Sequence, residues 1–241
     1  MKYSIIIPYR DRQEHLQLLI PALQEKFAGK DFEIIVSEQN DTDNFNLSNT
    51  QNIGVQQSTG DVVILHQVDY LPTEDVSYEI SDQPVLPARY GIFVNMDLTR
   101  RPMHDIPGGY RNWETGIDEA FYGGVVVMTR DQWDTINGFN PFYKGWGNED
   151  EDLRERLKWA GYKPVRNQNG TFLCLYHQDN GDMSKKTVEH QKDFFEGRQL
   201  YAKAYEYRHV GCSNVTADVE EFETGMPNVR WIKSTNYQIL N

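Results

Sequence analysis

The chain of 241 residues is 39% hydrophobic and 25% charged, so it is long enough to bury a sizeable core. Its formal net charge of -12 argues against a nucleic-acid backbone or an anionic membrane as the main partner, because both require a positive surface. No stretch approaches the ~20 apolar residues that span a bilayer, and the two cysteines, Cys174 and Cys212, are too few for a disulfide framework, so we expect no membrane anchor and a reducing compartment.

The first third of the chain alternates apolar runs with helical patterns. The predicted elements are strands over 3–7, 32–36 and 61–65, and helices over 16–27 and 46–57. This βαβαβ order predicts an α/β fold with a mainly parallel central sheet and right-handed crossovers. Because ligands of such sheets bind beyond the carboxyl ends of the strands, we expect 8–12 and Asp69 to share one rim.

The rest of the chain has fewer clear patterns. The predicted elements are strands over 123–128 and 171–176 and helices over 130–136, 149–160 and about 191–205. Asn148 is expected to cap the second of these helices, with Glu151 at the capping-box position. The segment 73–118 predicts loops and strands whose positions the pattern does not fix, and the polar segment 178–186 predicts a mobile loop.

Four consecutive acids at 149–152 follow a loop, 139–147, that is rich in aromatic residues and glycine. Acids in the first turn of a helix are favoured by the helix dipole, which is a sufficient structural reason for the run. Loops of this composition, however, carry sites more often than cores do. A helix start and a catalytic base are therefore both open interpretations, and they are compatible.

Four other residues could be either structural or functional. Arg10 and Arg12 follow the first strand, where they are either a solvated strand end or a pair of guanidiniums that would suit a diphosphate. Asp69 ends an apolar strand, as a turn residue or a metal ligand. His177 follows a buried strand, and its imidazole together with a carboxylate would leave open positions on Mn²⁺ or Mg²⁺ for phosphate oxygens.

Several segments match the motifs of one enzyme family. They are IIIPYRDRQEHL at 5–16, FN at 45–46, NIG at 52–54, FYGGV at 121–125, INGF at 136–139, GWGNEDE at 145–151 and TNYQIL at 235–240. In these segments the chain resembles the β-1,4-galactosyltransferases, which are inverting, metal-dependent transferases with a GT-A fold. The resemblance implies one Rossmann-like GT-A domain over 1–241, with a nucleotide-binding half at 1–72 and a donor, acceptor and catalytic half at 119–241.

The resemblance also implies an activity: transfer of galactose or N-acetylgalactosamine from a UDP-sugar to a sugar acceptor in a β linkage. Asp150 would be the general base beside Glu149, and Asp69 and His177 would bind Mn²⁺ or Mg²⁺. The donor and its nucleotide would contact Pro8, Tyr9, Arg10, Arg12, Phe45, Asn46, Val68, Asp69, Gly124, Trp146 and His177. The acceptor would contact Phe121, Trp146, Asn148, Glu149, Asp150 and Glu151.

The sequence departs from the family at three positions. Gln67 stands where the family has the first acid of its Asp-x-Asp motif. Cys174 stands where the family has a methionine as third metal ligand, and a thiol suits Mn²⁺ or Mg²⁺ poorly. Phe121 stands where galactose-specific members have a tyrosine. The identity of the metal and the choice of donor sugar therefore stay open.

Two alternative functions are compatible with the same residues. One is a GT-A transferase of the capsule or chondroitin-polymerase type that uses another UDP-sugar. The other is a catalytically silent sugar-binding domain, suggested by Gln67 and Cys174. As for location, the missing anchor predicts a cytoplasmic enzyme of bacterial or viral type, and the Golgi lumen only if an anchor has been removed.

Overall fold

The computed structural model describes residues 1–106, 110, 112–145, 147–177 and 188–240. The strands are β1 (Lys2–Tyr9), β2 (Asp31–Gln39), β3 (Val62–His66), β4 (Tyr70–Pro72), β5 (Val85–Leu86), β6 (Tyr90–Val94), β7 (Val125–Thr129), β8 (Val165–Arg166), β9 (Thr171–Leu175), β10 (Val215–Glu223) and β11 (Val229–Ile239). The helices are α1 (Gln13–Lys26), α2 (Leu47–Gln56), α3 (Arg130–Ile136), α4 (Glu149–Trp159) and α5 (Val188–Tyr201). In this part of the chain no helix is long and apolar enough to cross a membrane.

The larger sheet has eight strands in the order β10-β11-β2-β1-β3-β7-β5-β8. Its centre is parallel, since β1 pairs in parallel with β2 and β3, and β11 pairs in parallel with β2. The strand β7 joins β3 antiparallel, and β10 joins β11 antiparallel at the edge. The predicted α/β fold with a mainly parallel centre is confirmed.

The central strands are apolar on both faces because helices cover both faces. Ile5 and Ile7 on one face of β1 pack in a cluster with α1, whereas Ile6 on the other face packs in a second cluster that includes Trp133 of α3 and Leu157 of α4. All five side chains are buried or nearly so. The continuous apolar run at the start of the chain thus reflects a strand between two layers.

A second, three-stranded sheet has the order β4-β9-β6 and draws one of its strands from the segment 73–118. The predicted strand at 171–176 lies in this sheet as β9, antiparallel to β4 and parallel to β6. The backbone N–H of Leu175 donates to the carbonyl of Asp69 at 2.8 Å. The end of β9 therefore lies beside Asp69, which is in the turn between β3 and β4.

Three predictions about local structure need correction. Asn148 does not cap α4 through its side chain and forms no capping box with Glu151, because its φ of 73° is left-handed whereas a capping residue is normally extended. The helix α5 ends at Tyr201 rather than about 205. The segment 235–240, which resembles the last strand of the family, forms only the end of β11, which starts at Val229. β11 pairs with β10, which the sequence did not predict because the side chains of β10 are mostly exposed.

Candidate active site

The candidate site lies at the carboxyl ends of β1 and β3. Antiparallel pairing sets Val125 of β7 opposite His66 of β3, and the backbone N–H of Gln67 donates to the carbonyl of Gly124 at 2.9 Å. Val68 is buried in the core, so Asp69 is the residue of this turn that reaches the rim. The start of α4 meets the same rim, since Asp150 of α4 lies beside Gly123, the residue before Gly124.

The residues that end β1 differ in exposure. Pro8 and Tyr9 are buried, and the Tyr9 ring lies 5.1 Å from the ring of Trp231. Arg10 is partly exposed and pairs with Asp41 at 3.1 Å, while its guanidinium lies 5.6 Å from the ring centroid of Phe45. Of Pro8, Tyr9, Arg10 and Phe45, which were predicted to contact the nucleotide, Arg10 and Phe45 are partly exposed at the rim.

Asn46 holds α2 in place. Its side chain accepts a hydrogen bond from the N–H of Asn49 at 2.8 Å, which caps the helix, and donates to the carbonyl of Pro141 at 3.1 Å. Nearly two turns later, Asn52 exchanges two hydrogen bonds with the backbone of Phe139, of 2.9 and 3.0 Å. Asn46 is buried, so a contact between its side chain and a nucleotide would have to displace these bonds.

Arg12, His177 and Asp69 form a chain of polar contacts. Arg12 Nη2 lies 3.2 Å from Nδ1 of His177, and His177 Nε2 lies 3.3 Å from Oδ2 of Asp69. Both partners of this second contact are partly exposed at the rim. The sequence prediction that a strand-end carboxylate and this histidine lie together is matched by their positions.

The Asp69 and His177 pair is suited to a hard divalent cation. Adjacent ligands of an octahedral ion at ~2.1 Å are about 3 Å apart, close to the separation of 3.3 Å between Oδ2 and Nε2. Cys174 is not arranged as a third ligand: it is buried, and its Sγ packs toward Gly91. Among the described residues no group of three or more His, Cys, Asp or Glu side chains could hold a metal.

Glu149 and Asp150, in the first turn of α4, are both partly buried. Burial and the adjacent Asp150 charge raise the pKa of Glu149 from 4.5 to about 8, against the effect of hydrogen bonds from backbone N–H groups that include that of Gly147. Burial and the Glu151 charge raise the pKa of Asp150. The Glu151 N–H donates to Asp150 Oδ1 at 2.9 Å. Both adjacent acids thus hold a proton more strongly than free carboxyls do.

Gly123 fits between Phe121 and Asp150. A Cβ at this position would lie 2.7 Å from Cζ of Phe121 and 3.2 Å from Oδ2 of Asp150, so only glycine leaves both side chains where they are. Gly124 has a left-handed φ of 90°, and its Cα faces the ring of Tyr70. The two glycines of the 121–125 motif thus permit close packing at the rim.

Tyr110 packs beside the site, although no sequence motif selected it. Its ring packs 4.8 Å from Trp113, whose ring in turn lies 4.8 Å from Phe121. Burial, followed by the charges of Asp150 and Asp69, raises the pKa of Tyr110 to about 12. The negative charges of both carboxylates thus disfavour ionisation of this phenol. The clustering of Tyr, Trp and Phe between 110 and 121 was the available signal.

Asp152, interpreted from sequence as an ordinary helical residue, is a buried ion-pair partner. Its Oδ2 accepts from Arg156 Nε at 2.6 Å, and both side chains are almost fully buried. Arg156 also donates to the backbone carbonyls of Tyr207 and Val210 at 3.1 and 2.6 Å. Trp146 and the predicted mobile loop at 178–186 lie outside the described residues.

Known protein families and solved structures match this sequence and fold. The chain matches family models described as the N-terminal region of glycosyl transferase group 7, over residues 1–80, and as the N-terminal domain of galactosyltransferase, over residues 111–178. The catalytic domain of Drosophila β-1,4-galactosyltransferase 7, solved with xylobiose, aligns with a TM-score of 0.69 and 23% identity, covering 99% of this chain and 94% of that one. The fold is the GT-A fold of nucleotide-sugar glycosyltransferases.

Relatives identified by sequence indicate one family among the GT-A glycosyltransferases. Human β-1,4-galactosyltransferase 6 is 32% identical over 192 residues, which cover 76% of this chain and 45% of the relative. Human β-1,4-galactosyltransferase 3 is 29% identical over 237 residues, which cover 90% and 55%. The chain belongs to the β-1,4-galactosyltransferase family. It spans about half the length of the curated relatives it matches.

Proposed function

We propose that the chain is a single GT-A domain that transfers galactose, or N-acetylgalactosamine, from a UDP-sugar to a sugar hydroxyl with inversion. The observation that carries this proposal is the placement of two groups at one rim. Asp69 pairs with His177 at 3.3 Å, and Asp150 Oδ2 lies beside Gly123, next to the Gly124 carbonyl that accepts from Gln67. Family membership supports it. So does the crystal structure of a variant of Drosophila β-1,4-galactosyltransferase 7 in complex with manganese, UDP-Gal and xylobiose.

In this proposal the half of the chain at 1–72 binds the nucleotide. Arg10 and Arg12 stand at the end of β1, and the ring of Phe45 lies beneath Arg10, so a flat base and a diphosphate would meet complementary groups. Mn²⁺, or Mg²⁺, would be held by Asp69 Oδ2 and His177 Nε2 and would offset the charge on the departing diphosphate. The net charge of -12 makes such local cations necessary for an anionic donor.

The half at 119–241 would hold the reacting groups. Asp150 would take the proton of the acceptor hydroxyl as its oxygen attacks the anomeric carbon, while the bond from that carbon to the diphosphate breaks and UDP leaves with the electron pair. Glu149 and Glu151, on either side of the base, would accept hydrogen bonds from acceptor hydroxyls. A single displacement inverts the anomeric centre and yields the β linkage.

The direct test is release of UDP from UDP-galactose or UDP-N-acetylgalactosamine in Mn²⁺ with a panel of sugar acceptors. Asp150→Asn should lower the rate about 10² to 10⁴-fold, the usual contribution of a general base. Glu155→Gln, on the same helix but paired with Arg154 and Lys158, is the matched control and should retain activity. An unaltered rate in Asp150→Asn would remove Asp150 as the base.

Two further measurements separate the alternatives. A panel of other UDP-sugars tests the capsule-type transferase, and calorimetry with UDP and Mn²⁺ tests the silent sugar-binding domain, which should show no metal-dependent nucleotide binding. The compartment, cytoplasm or Golgi lumen, stays a prediction for cell fractionation. NMR of the product would identify the linkage and the acceptor hydroxyl.

A further inference from the structure

A small cavity lies behind the carboxylates of α4, between that helix, α2 and the end of β3. Its volume is about 20 Å³, enough for roughly one water molecule and far too little for a sugar. Its polar lining comes from Glu149 and Asp150, from Gln51 of α2 and Gln67, and from Tyr122. We call this space the inner cavity.

Gln51 is the unusual member of the lining. Only 2% of its surface is exposed, and its Oε1 is buried without a hydrogen-bond donor among the residues that the structure describes. A buried acceptor left unpaired costs about 1–3 kcal/mol, so such atoms normally have a donor. Around the inner cavity, Leu65, Phe139 and Leu153 offer apolar side chains only. The groups that could supply a donor are Tyr122, the Gln67 amide and the two carboxyls.

The two carboxyls differ in what they can offer. Asp150 Oδ1 already accepts from the N–H of Glu151, whereas burial and the neighbouring Asp150 charge favour the protonated form of Glu149. A protonated carboxyl has an O–H to donate, and an ionised one has only acceptor oxygens. An acceptor amide facing the carboxyl therefore favours its protonated form.

We propose that Gln51 is a positioning residue that accepts a hydrogen bond from the protonated carboxyl of Glu149 across the inner cavity. The proton stays on Glu149, so Asp150 carries the single negative charge of the pair. Gln51 thereby assigns different protonation states to two adjacent acids. For the catalytic consequence this inference rests on the proposed function, in which Asp150 is the base.

The other charged and titratable groups near Glu149 do not replace this role. On its own helix these are Asp150 and Glu151, and from the packed loops they are Tyr143 and Tyr110. Burial raises the pKa of both tyrosines above the ordinary value, so they stay neutral near pH 7. Burial also raises the pKa of Tyr122, which lines the cavity, and the α2 side of the cavity contributes the neutral Gln51.

The experiment is a ¹³C NMR titration of the Glu149 carboxyl, assigned by its loss in Glu149→Gln, in the full chain without substrates. In the unsubstituted protein at pH 7 the carboxyl should have the chemical shift of a protonated acid. In Gln51→Met, which keeps the length and removes the amide, its pKa should fall by about one unit. Thr50→Val, on the same helix but outside the inner cavity, should leave it unchanged.

Two outcomes would overturn the inference. One is an ionised Glu149 carboxyl at pH 7 in the unsubstituted protein, and the other is the same pKa of Glu149 in Gln51→Met and in the parent. The first of these needs only the Glu149→Gln variant for assignment, so it holds even if Gln51→Met does not fold. In an activity profile, Gln51→Met should move the alkaline limb of kcat to lower pH and leave the acidic limb in place. The titration uses no donor sugar, so its failure is distinguishable from absence of transferase activity.

Discussion

Arg12 donates a hydrogen bond to Nδ1 of His177 over 3.2 Å, and this bond determines where the imidazole can carry its proton. A guanidinium only donates, so Nδ1 holds a lone pair, and the proton of the neutral ring lies on Nε2, which faces Asp69. An imidazole that binds a metal through Nε2 must carry its proton on Nδ1 instead. The Arg12 bond and metal binding by His177 Nε2 therefore compete.

Replacing Arg12 with alanine should consequently tighten Mn²⁺ binding in the absence of nucleotide, on the order of fivefold for one lost hydrogen bond. The same change should weaken UDP binding, since a guanidinium at the rim is lost. Titration of free Mn²⁺ by EPR measures the first effect and calorimetry the second. Arg10→Ala is the control for the Mn²⁺ titration, because Arg10 pairs with Asp41. Equal Mn²⁺ affinity in the Arg12 and Arg10 variants would contradict the competition.

The buried pair of Asp152 and Arg156 should be a major source of stability for α4. Removing one partner of a buried ion pair leaves an uncompensated charge and costs about 3–5 kcal/mol. We expect Arg156→Met to lower the free energy of unfolding by this amount in urea denaturation, and more than Asp152→Asn does, because Arg156 also donates to backbone carbonyls of the segment after α5. Similar small losses in both variants would show that the pair is replaceable.

Glu149 should make the fold less stable as the pH rises. Its pKa in the folded protein, about 8, is above its ordinary value of 4.5, so the folded state retains the proton more strongly than the unfolded chain does. This contribution is complete below pH 4.5 and is lost as the pH rises to about 8. Glu149→Gln, which stays neutral, should therefore have a higher Tm than the parent above pH 8, with a smaller difference at pH 5.

The control for this prediction is Glu155→Gln, an acid of the same helix that lies beside Arg154 and Lys158. It should not reproduce the pH-dependent gain in Tm. Differential scanning calorimetry across the range gives both curves. A Tm difference for Glu149→Gln that is the same at pH 5 and above pH 8 would mean that its carboxyl has an ordinary pKa in the fold.

Gly123→Ala should reduce activity without unfolding the protein. The added methyl would lie 2.7 Å from the Phe121 ring and 3.2 Å from Asp150 Oδ2, so both side chains must shift. Misplacement of a catalytic group by ~1 Å costs up to about 100-fold in rate. The double variant with Phe121→Ala removes the closer obstacle and should recover part of the rate. No recovery, with an unchanged Tm, would point to the contact with Asp150 as the cause.

The sequence predicted the sheet centre well because apolar runs there are long and are separated by a clear helical pattern in α1. The strands β5 and β8 have two residues each, and β10 exposes most of its side chains, so neither periodicity nor an apolar run marks them. The left-handed Asn148 defeats capping rules, since a polar residue before acids looks the same in either conformation.

The positions of the site residues were predictable in outline because the sheet centre was predicted correctly. Residues at strand ends, such as Asp69 and His177, are located by the fold, and the structure brings them to 3.3 Å. Their functional roles, and those of Glu149 and Asp150, remain predictions. Gln51 could not be selected from sequence, because a glutamine in a polar helix is normally exposed. It is buried because α2 packs against β1 and β2 of the sheet.

The bonds from Asn46 and Asn52 to the backbone of Pro141 and Phe139 have a consequence for the engineering of this fold. They join two segments that are about ninety positions apart in sequence and that would be assigned to different functional halves. A chimera that exchanges the aromatic loop before α4 for that of a relative must carry α2 with it, or must match both asparagines. The natural unit of exchange is thus a pair of distant segments.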